Sequence, residues 1–298
     1  MNRNLWLGLI MTGILLAIVI LGPYLPFVDP SLEQNLLDKD DGGGLLVPPY
    51  APSDEFLIGT DRKGVDLWSK VMVGARETFY ILAVIVGFRL VLALLVSVGA
   101  FYISGIRLIM NIWNAVFSFM PTIFIILILL AIPGVMFSDY RAFWVMAIIS
   151  VVEVGRLALI FYDSLQTQKR QTYMEAAIAS GGHRWTLFKS YYWPSLKREV
   201  VSSGATESGR AMFLLAQLGV IGIYINQEFF SQLDRSYRSV DVSNSWPVLL
   251  SNLRRDVNSA EWIPLVALFF ITFSIIGFYL LADGLKKRQA IKLRRDFQ

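Results

Sequence analysis

The chain of 298 residues has no cysteine and one histidine, His183. The first absence excludes a disulfide framework, a thiolate metal site and a cysteine nucleophile. With one histidine, no cluster has metal-ligand spacing, and a Ser-His-Asp triad has no support. No Gly-Lys dipeptide occurs, so there is no Walker A loop to cradle ATP phosphates, and the chain binds no nucleotide cofactor of its own. Charge is also scarce, at 17% of residues, with a net +4. A basic nucleic-acid footprint is not the cause, because the cations gather beside apolar stretches. No catalytic set emerges.

What fills the chain is apolar: 55% of residues, with a mean hydropathy of +0.54. Such a composition marks a membrane protein. A hydrocarbon core of about 30 Å takes about 20 helical residues to cross. Six stretches qualify, at residues 5–22, 78–102, 108–132, 142–162, 200–225 and 262–282. The first follows Arg3 but lacks a small-residue cleavage pattern at Gly22-Pro23-Tyr24, so it is expected to be a retained span. Pro121 falls inside the third and is expected to kink it.

Orientation follows the cations. With both termini cytoplasmic, the inner segments 1–4, 103–107, 163–199 and 283–298 hold 14 Lys/Arg in 62 residues, against 10 in 100 for the outer segments. That bias favours a cytoplasmic N- and C-terminus. The organisation read from this pattern is a first span at 1–22, an extracytoplasmic segment at 23–77 carrying a short amphipathic surface helix capped by Asp66, and a core at 78–285. The core holds a cytoplasmic loop at 163–199 and an outer loop at 226–261. A basic cytoplasmic tail at 286–298 suits the anionic headgroups of the bilayer.

Charges inside spans are costly, roughly 2.5–3.5 kcal/mol each on insertion scales. Arg89 lies in the second span; Glu153 and Arg156 are i,i+3 neighbours in the fourth, and Glu207 and Arg210 repeat that spacing in the fifth. Two uses are open. They pair and fix the packing of the bundle, or they line a translocation path.

The polar loop between the fourth and fifth spans reads Thr172-Tyr-Met-Glu175-Ala176-Ala177-Ile-Ala-Ser-Gly181, then nine residues, then Tyr191-Tyr-Trp193-Pro194. Thr172 and Glu175 have capping-box spacing, and Gly181-Gly182 can stop a helix at positive φ. A second short helix over 184–193 is expected to end at Pro194. An ordinary amphipathic loop would look much the same. The spacing Glu-Ala-Ala, three residues, Gly, nine residues, x-x-x-Pro resembles the EAA loop of ABC-importer membrane subunits, with Tyr191 and Trp193 standing for its Ile and Leu.

Two further stretches resemble the C-type permeases of dipeptide, oligopeptide and nickel importers. Leu57-Ile58-Gly59-Thr60-Asp61-Arg62-Lys63-Gly64-Val65-Asp66 resembles their L-G-T-D-x-x-G-R-D signature, with Val65 in place of Arg, and Gly74-Ala75-Arg76 follows. Near the other end, Phe278-Tyr279-Leu280-Leu281-Ala282-Asp283-Gly284-Leu285 is similar to F-N-L-L-G-D-G-L, and Ser245-Trp246 to an outer P-S-W-G segment. The resemblance implies an all-α, six-span permease of the type I ABC-importer fold, which is a transport subunit and not an enzyme. It implies a second homologous permease subunit as heterodimer partner, two ABC ATPase subunits that use ATP and Mg, an extracytoplasmic substrate-binding protein, and a peptide as substrate. Glu175, Ala176, Ala177 and Gly181 would make the ATPase contact, with His183, Arg184, Trp185 and Pro194 at the same interface. A metal chelate as cargo, a peptide receptor or scaffold descended from a permease, and a stand-alone channel or secondary transporter are the alternatives.

Overall fold

The computed structural model describes residues 2–36, 38–39, 45–231, 237–241 and 243–296, with the side chains of 37–46, 227–242 and 291–298 undescribed. Residues 40–44 and the side chains of the tail cations Lys292, Arg294 and Arg295 therefore lie outside what is described.

The protein is all-α across its apolar stretches. The helices are α1 (Arg3–Leu21), α2 (Leu67–Tyr102), α3 (Ser104–Ser118), α4 (Thr122–Leu130), α5 (Pro133–Met136), α6 (Arg141–Val152), α7 (Val154–Lys169), α8 (Thr172–Ala179), α9 (Arg184–Leu187), α10 (Trp193–Ile221), α11 (Leu253–Asp256) and α12 (Trp262–Asp296). Among the described residues, extended structure consists of two short antiparallel ribbons, β1 (Asp38–Lys39) with β2 (Leu45–Leu46) and β3 (Gln227–Ser231) with β4 (Tyr237–Asp241), and an isolated bridge between Thr60 and Asp66.

Three described segments are long and apolar enough to cross a membrane: Arg3–Tyr24, Leu67–Tyr102 and Trp262–Ala290. Two bent pairs, α3 with α4 and α6 with α7, raise the number to five where each pair is one span. The long α10 matches the expected fifth span in position, but Glu199, Glu207 and Arg210 leave it too polar to qualify by composition.

Several local expectations need correction. The short surface helix expected before residue 78 is not a separate element. Asp66 does cap a helix, its Oδ2 accepting the Ser69 N–H at 2.8 Å, but that helix is α2 and runs unbroken for 36 residues. The third span is not merely kinked: α3 and α4 meet at 94° across Phe119–Pro121. Pro121 has no N–H to give and its ring blocks the preceding turn. The fourth span, for which the sequence carried no expectation of a bend, turns by 41° at Glu153, with Gly155 in the first turn beyond it.

Close contacts group the chain into two units. One comprises Met1–Trp6, Val84–Ser208 and Tyr279–Gln298; the other comprises Leu7–Ala83 and Gly209–Phe278. The first has its core where α7 presents Leu157, Ala158, Phe161 and Leu165 to Ala93 and Ala100 of α2 and Met110 of α3. It also ties the two ends of the chain together. Asn2 Nδ2 donates to the Gly284 carbonyl and Asn4 Nδ2 to Asp283 Oδ2, each at 2.6 Å. Gly284 is required there, since a Cβ would collide with the Leu5 backbone. The second unit has the indole of Trp246 at its centre, fully buried and donating to the Val71 carbonyl at 2.8 Å.

Candidate functional site

The elbow between α7 and α10 forms largely as its spacing predicts, but the mechanism of its first cap differs. The expected capping box is absent. Gln171, extended at φ −77° and ψ 139°, is the capping position and makes no side-chain cap. Thr172 is already the first helical residue, one position too late for its hydroxyl to reach the third amide. The first turn closes instead through the backbone, Met174 N–H to Gln171 O at 2.9 Å. Glu175 keeps a favourable place near the positive end of the helix dipole. At the other end, Gly181 at φ +78° lets the Gly182 N–H reach back to the Ala177 carbonyl at 3.1 Å, the Schellman closure of a helix.

His183 then starts α9, its Nδ1 accepting the Trp185 N–H at 3.3 Å. The second helix does not end at Pro194. It widens into a π turn over Phe188–Tyr192, with the Trp193 N–H donating to Phe188 O, and continues into α10. A proline in a helix lacks one N–H and presses on the preceding carbonyl. The wider turn before Pro194 supplies the space, so the chain stays helical from Arg184 to Ile221.

Burial sorts the elbow into two faces. Met174, Leu187, Tyr192 and Leu196 are buried in the core formed around α7, with Ala177 and Phe188 packed against them. Burial pushes the Tyr192 phenol pKa up from its usual value. The opposite face is exposed: Glu175, Ala176, Gly181, His183, Arg184, Trp185 and Pro194. Trp185 is 67% exposed and Ile178 53%, and Trp185 stacks on Phe188 at 6.2 Å between ring centroids. Tyr173 stacks on Tyr191 at 5.9 Å. Ile178 and this tyrosine pair belong to the exposed face, and the motif spacing gave no signal for them. Alternation of apolar residues around α8 was the available clue.

The intramembrane charges form a second constellation. Arg89, Glu153, Arg156 and Glu207 converge in the first unit, whereas Arg210 lies in the other. Arg89 is fully buried, its Nη1 donating to Glu207 Oε2 and its Nη2 to the Ile149 carbonyl, both at 2.7 Å. Arg156 donates from Nε to Glu153 Oε2 at 2.9 Å and from Nη2 to Glu207 Oε1. Glu153 Oε1 accepts the Thr122 hydroxyl at 2.6 Å. Only the Glu153–Arg156 contact was legible from local spacing. Thr122 was missed, although a hydroxyl immediately after Pro121 is well placed to satisfy groups at a break.

These contacts sit on the two helix breaks. Glu153 is the residue at which α6 gives way to α7, and its N–H turns to Val151 O. Arg89 takes the carbonyl of Ile149, four residues before the bend. Thr122 is the first residue of α4 after the other break. Two positive and two negative groups therefore balance one another where the backbone is irregular.

In the second unit, the Gly-Thr-Asp and Ser-Trp segments meet on α2. Asp61 accepts the Lys63 and Val65 N–H groups at 2.8 and 3.0 Å and pairs with Lys70, both side chains being 7% exposed. Glu77 accepts the Ser243 hydroxyl, the Asn244 N–H and the Asn226 amide at 2.7–2.8 Å. The Trp246 N–H donates to Thr78 Oγ1 at 2.9 Å. The two stretches that carry the resemblance are thus one hydrogen-bonded unit.

The chain matches no protein-family profile. Along most of its length it is similar to bacterial transport permeases. It is 23% identical over 245 residues to the glutathione transport system permease protein GsiD of Pectobacterium atrosepticum, covering 82% of this chain and 75% of that protein. It is 25% identical over 275 residues to the probable D,D-dipeptide transport system permease protein DdpC of Escherichia coli K12, covering 92% and 82%. It is 25% identical over 309 aligned positions to the dipeptide transport system permease protein DppC of Haemophilus influenzae, covering 99% and 92%. With the apolar helices, these relatives define the class: a multi-pass, non-catalytic transport subunit of the cell membrane. Within that class it is similar to permease proteins of glutathione and dipeptide transport systems, at 23–25% identity over most of its length.

Proposed function

We propose that this chain forms half of the path of an ATP-driven importer of small peptides and that the segment 172–193 receives the power stroke. The cargo class rests on the relatives, which are named for glutathione, a D,D-dipeptide and dipeptides. The other half of the path comes from a homologous permease subunit in a heterodimer. Two ATPase subunits bind ATP and Mg beneath the membrane, and an extracytoplasmic binding protein delivers the peptide.

One observation carries the coupling role: an elbow whose inner face is fixed in the core while its outer face leaves Ile178 and Trp185 bare. Such exposed apolar groups beside a polar rim suit a groove on another protein. Because α9, the π turn and α10 are continuous, displacement of the elbow moves the helix that bears Glu207. A rigid-body switch between inward- and outward-facing states follows from such a linkage.

Cytoplasmic placement of both termini is supported by the charge bias and by the hydrogen bonds from Asn2 and Asn4 to Gly284 and Asp283, which put residues 2–4 and 283–284 at the same level. The native chain lacks cysteine, so single cysteines at Ile178 or Trp185 are unique probes. Oxidative cross-linking to a cysteine-bearing ATPase subunit in the assembled transporter, changing in yield with ATP, is expected. Absence of any cross-link, or labelling of either position from outside the cell, would overturn the coupling role.

A further inference from the structure

The four charges of the buried network differ in one respect. The side chains of Arg89 and Glu207 are 0% and 1% exposed and that of Glu153 is 5%, whereas Arg156 is 29% exposed. Its Nε and Nη2 are engaged by Glu153 and Glu207. Its Nη1 has no hydrogen bond among the described residues, and guanidinium offers five donors in a fixed plane. One edge of the fork is therefore held still while the other is left open.

Depth decides what the open edge can face. Arg156 is the third residue of α7, six residues before the inner end of the fourth span at residue 162, roughly 9 Å away at 1.5 Å per residue. On the other side, α6 adds 12 residues, roughly 18 Å. The guanidinium is thus inside a bent pair that is long enough to span, nearer its inner end. A cation at that level avoids lipid and faces a protein interior or a water-filled cavity. At the adjoining break, Phe119, two residues before Pro121 and three before Thr122, is 86% exposed, so neighbouring side chains do not cover that side of the break.

We infer that Arg156 is the residue of this subunit that touches cargo, its open Nη1 edge taking the carboxylate of a passing peptide while Glu153, Glu207 and Arg89 hold it in place. Arg89 and Thr122 are positioning residues: one, fully buried, anchors Glu207, and the other, half-buried, anchors Glu153. Among the contacts described above, two cations face two carboxylates. A carboxylate therefore meets an oriented donor whose charge these contacts already offset, and a conducting path needs sites weak enough to leave. This inference rests on reading the chain as half of a peptide path, and it adds which atom meets the peptide and which end of the peptide it meets.

The test uses the complete transporter in proteoliposomes, with the binding protein supplied. Uptake of dialanine is compared with uptake of dialanine amide, which lacks the carboxylate. The acid-to-amide ratio does not depend on how much protein is folded, and a change on substitution cannot come from the binding protein. In Arg156→Gln the ratio is expected to fall about tenfold, the scale of one hydrogen bond to a charged group. Arg156→Lys, which keeps the charge but loses the fork, should show a smaller fall and serves where the glutamine variant fails to assemble. A ratio within twofold of the native one in a transporting variant overturns the inference and leaves the peptide path standing. An unchanged ratio with loss of the sister permease on purification also overturns it, because the open edge then serves the partner subunit. Native transporter that moves neither peptide overturns the peptide-path reading itself.

Discussion

Arg89 Nη2 lies 2.7 Å from the carbonyl oxygen of Ile149, just ahead of the bend at Glu153 where the local N–H turns elsewhere. A fully buried guanidinium thus stitches α2 to the irregular point of the α6–α7 pair. Arg89→Leu removes both this bond and the ion pair to Glu207. Breaking a buried pair costs about 3–5 kcal/mol, and the lower end is expected because Glu207 keeps Arg156. Thermal unfolding in detergent should show the loss. Substrate range should not change, and a shifted range would mean that Arg89 meets cargo.

Thr122→Val takes the hydroxyl from Glu153 while keeping the shape of the side chain. Leaving a buried carboxylate short of a donor costs about 1–3 kcal/mol. Melting temperature should fall for Val and be largely kept for Ser. Equal melting of the two variants would show that the hydroxyl contributes nothing at the break.

A Cβ added at Gly181 would meet nothing within 4 Å, so only the backbone at φ +78° restricts substitution. Gly181→Val incurs the left-handed penalty of about 1–2 kcal/mol, enough to reopen the Schellman closure and disorder the elbow. Uptake should be lost while membrane insertion stays intact. Gly181→Asn, which tolerates this conformation, should retain most activity. Normal uptake by the valine variant would count heavily against the coupling role.

Asp61→Asn leaves Lys70 charged and 7% exposed without its partner. About 3–5 kcal/mol of destabilisation is expected, seen as reduced accumulation in the membrane. Adding Lys70→Met should restore much of it. If the single variant accumulates normally, the pair does not hold the outer loop.

Impermeant maleimide should reach Arg3→Cys and Lys286→Cys only in inside-out vesicles, and Leu57→Cys, at a site 73% exposed, only in intact cells whose outer barrier is opened. Labelling of positions 3 and 286 from opposite sides would contradict the hydrogen bonds that join the two ends of the chain.

The expectations that failed share a cause. Lys70, Arg76 and Glu77 made residues 67–77 look like a surface helix, because the sequence does not show that Asp61, Val19, Ile20, Ser243 and Asn244 supply their partners. Capping-box spacing at Thr172 and Glu175 was present without the box, since the extended residue proved to be Gln171. Pro194 had the form of a stop, yet a π turn absorbed it. The bend at Glu153 had no proline to announce it, only Gly155 in the turn that follows. By contrast, Gly181 and Asp66 acted as their positions predict, because a left-handed turn and an N-cap are set by one residue and its immediate neighbours.

By itself, the sequence determined that the chain enters a membrane as helices, that it carries no Walker A loop or cysteine nucleophile, and that a Glu-Ala-Ala…Gly elbow stands between two spans. These depend on hydropathy summed over about 20 residues, on residue types that are simply missing, and on conformations local to a single turn. Tertiary structure alone decided which charges meet. Glu207 looked paired with Arg210 one turn away, but its carboxylate is shared by Arg89 and Arg156, 118 and 51 residues distant along the chain. In a low-dielectric interior each charge must find a partner, and which one it finds is set by how the helices pack.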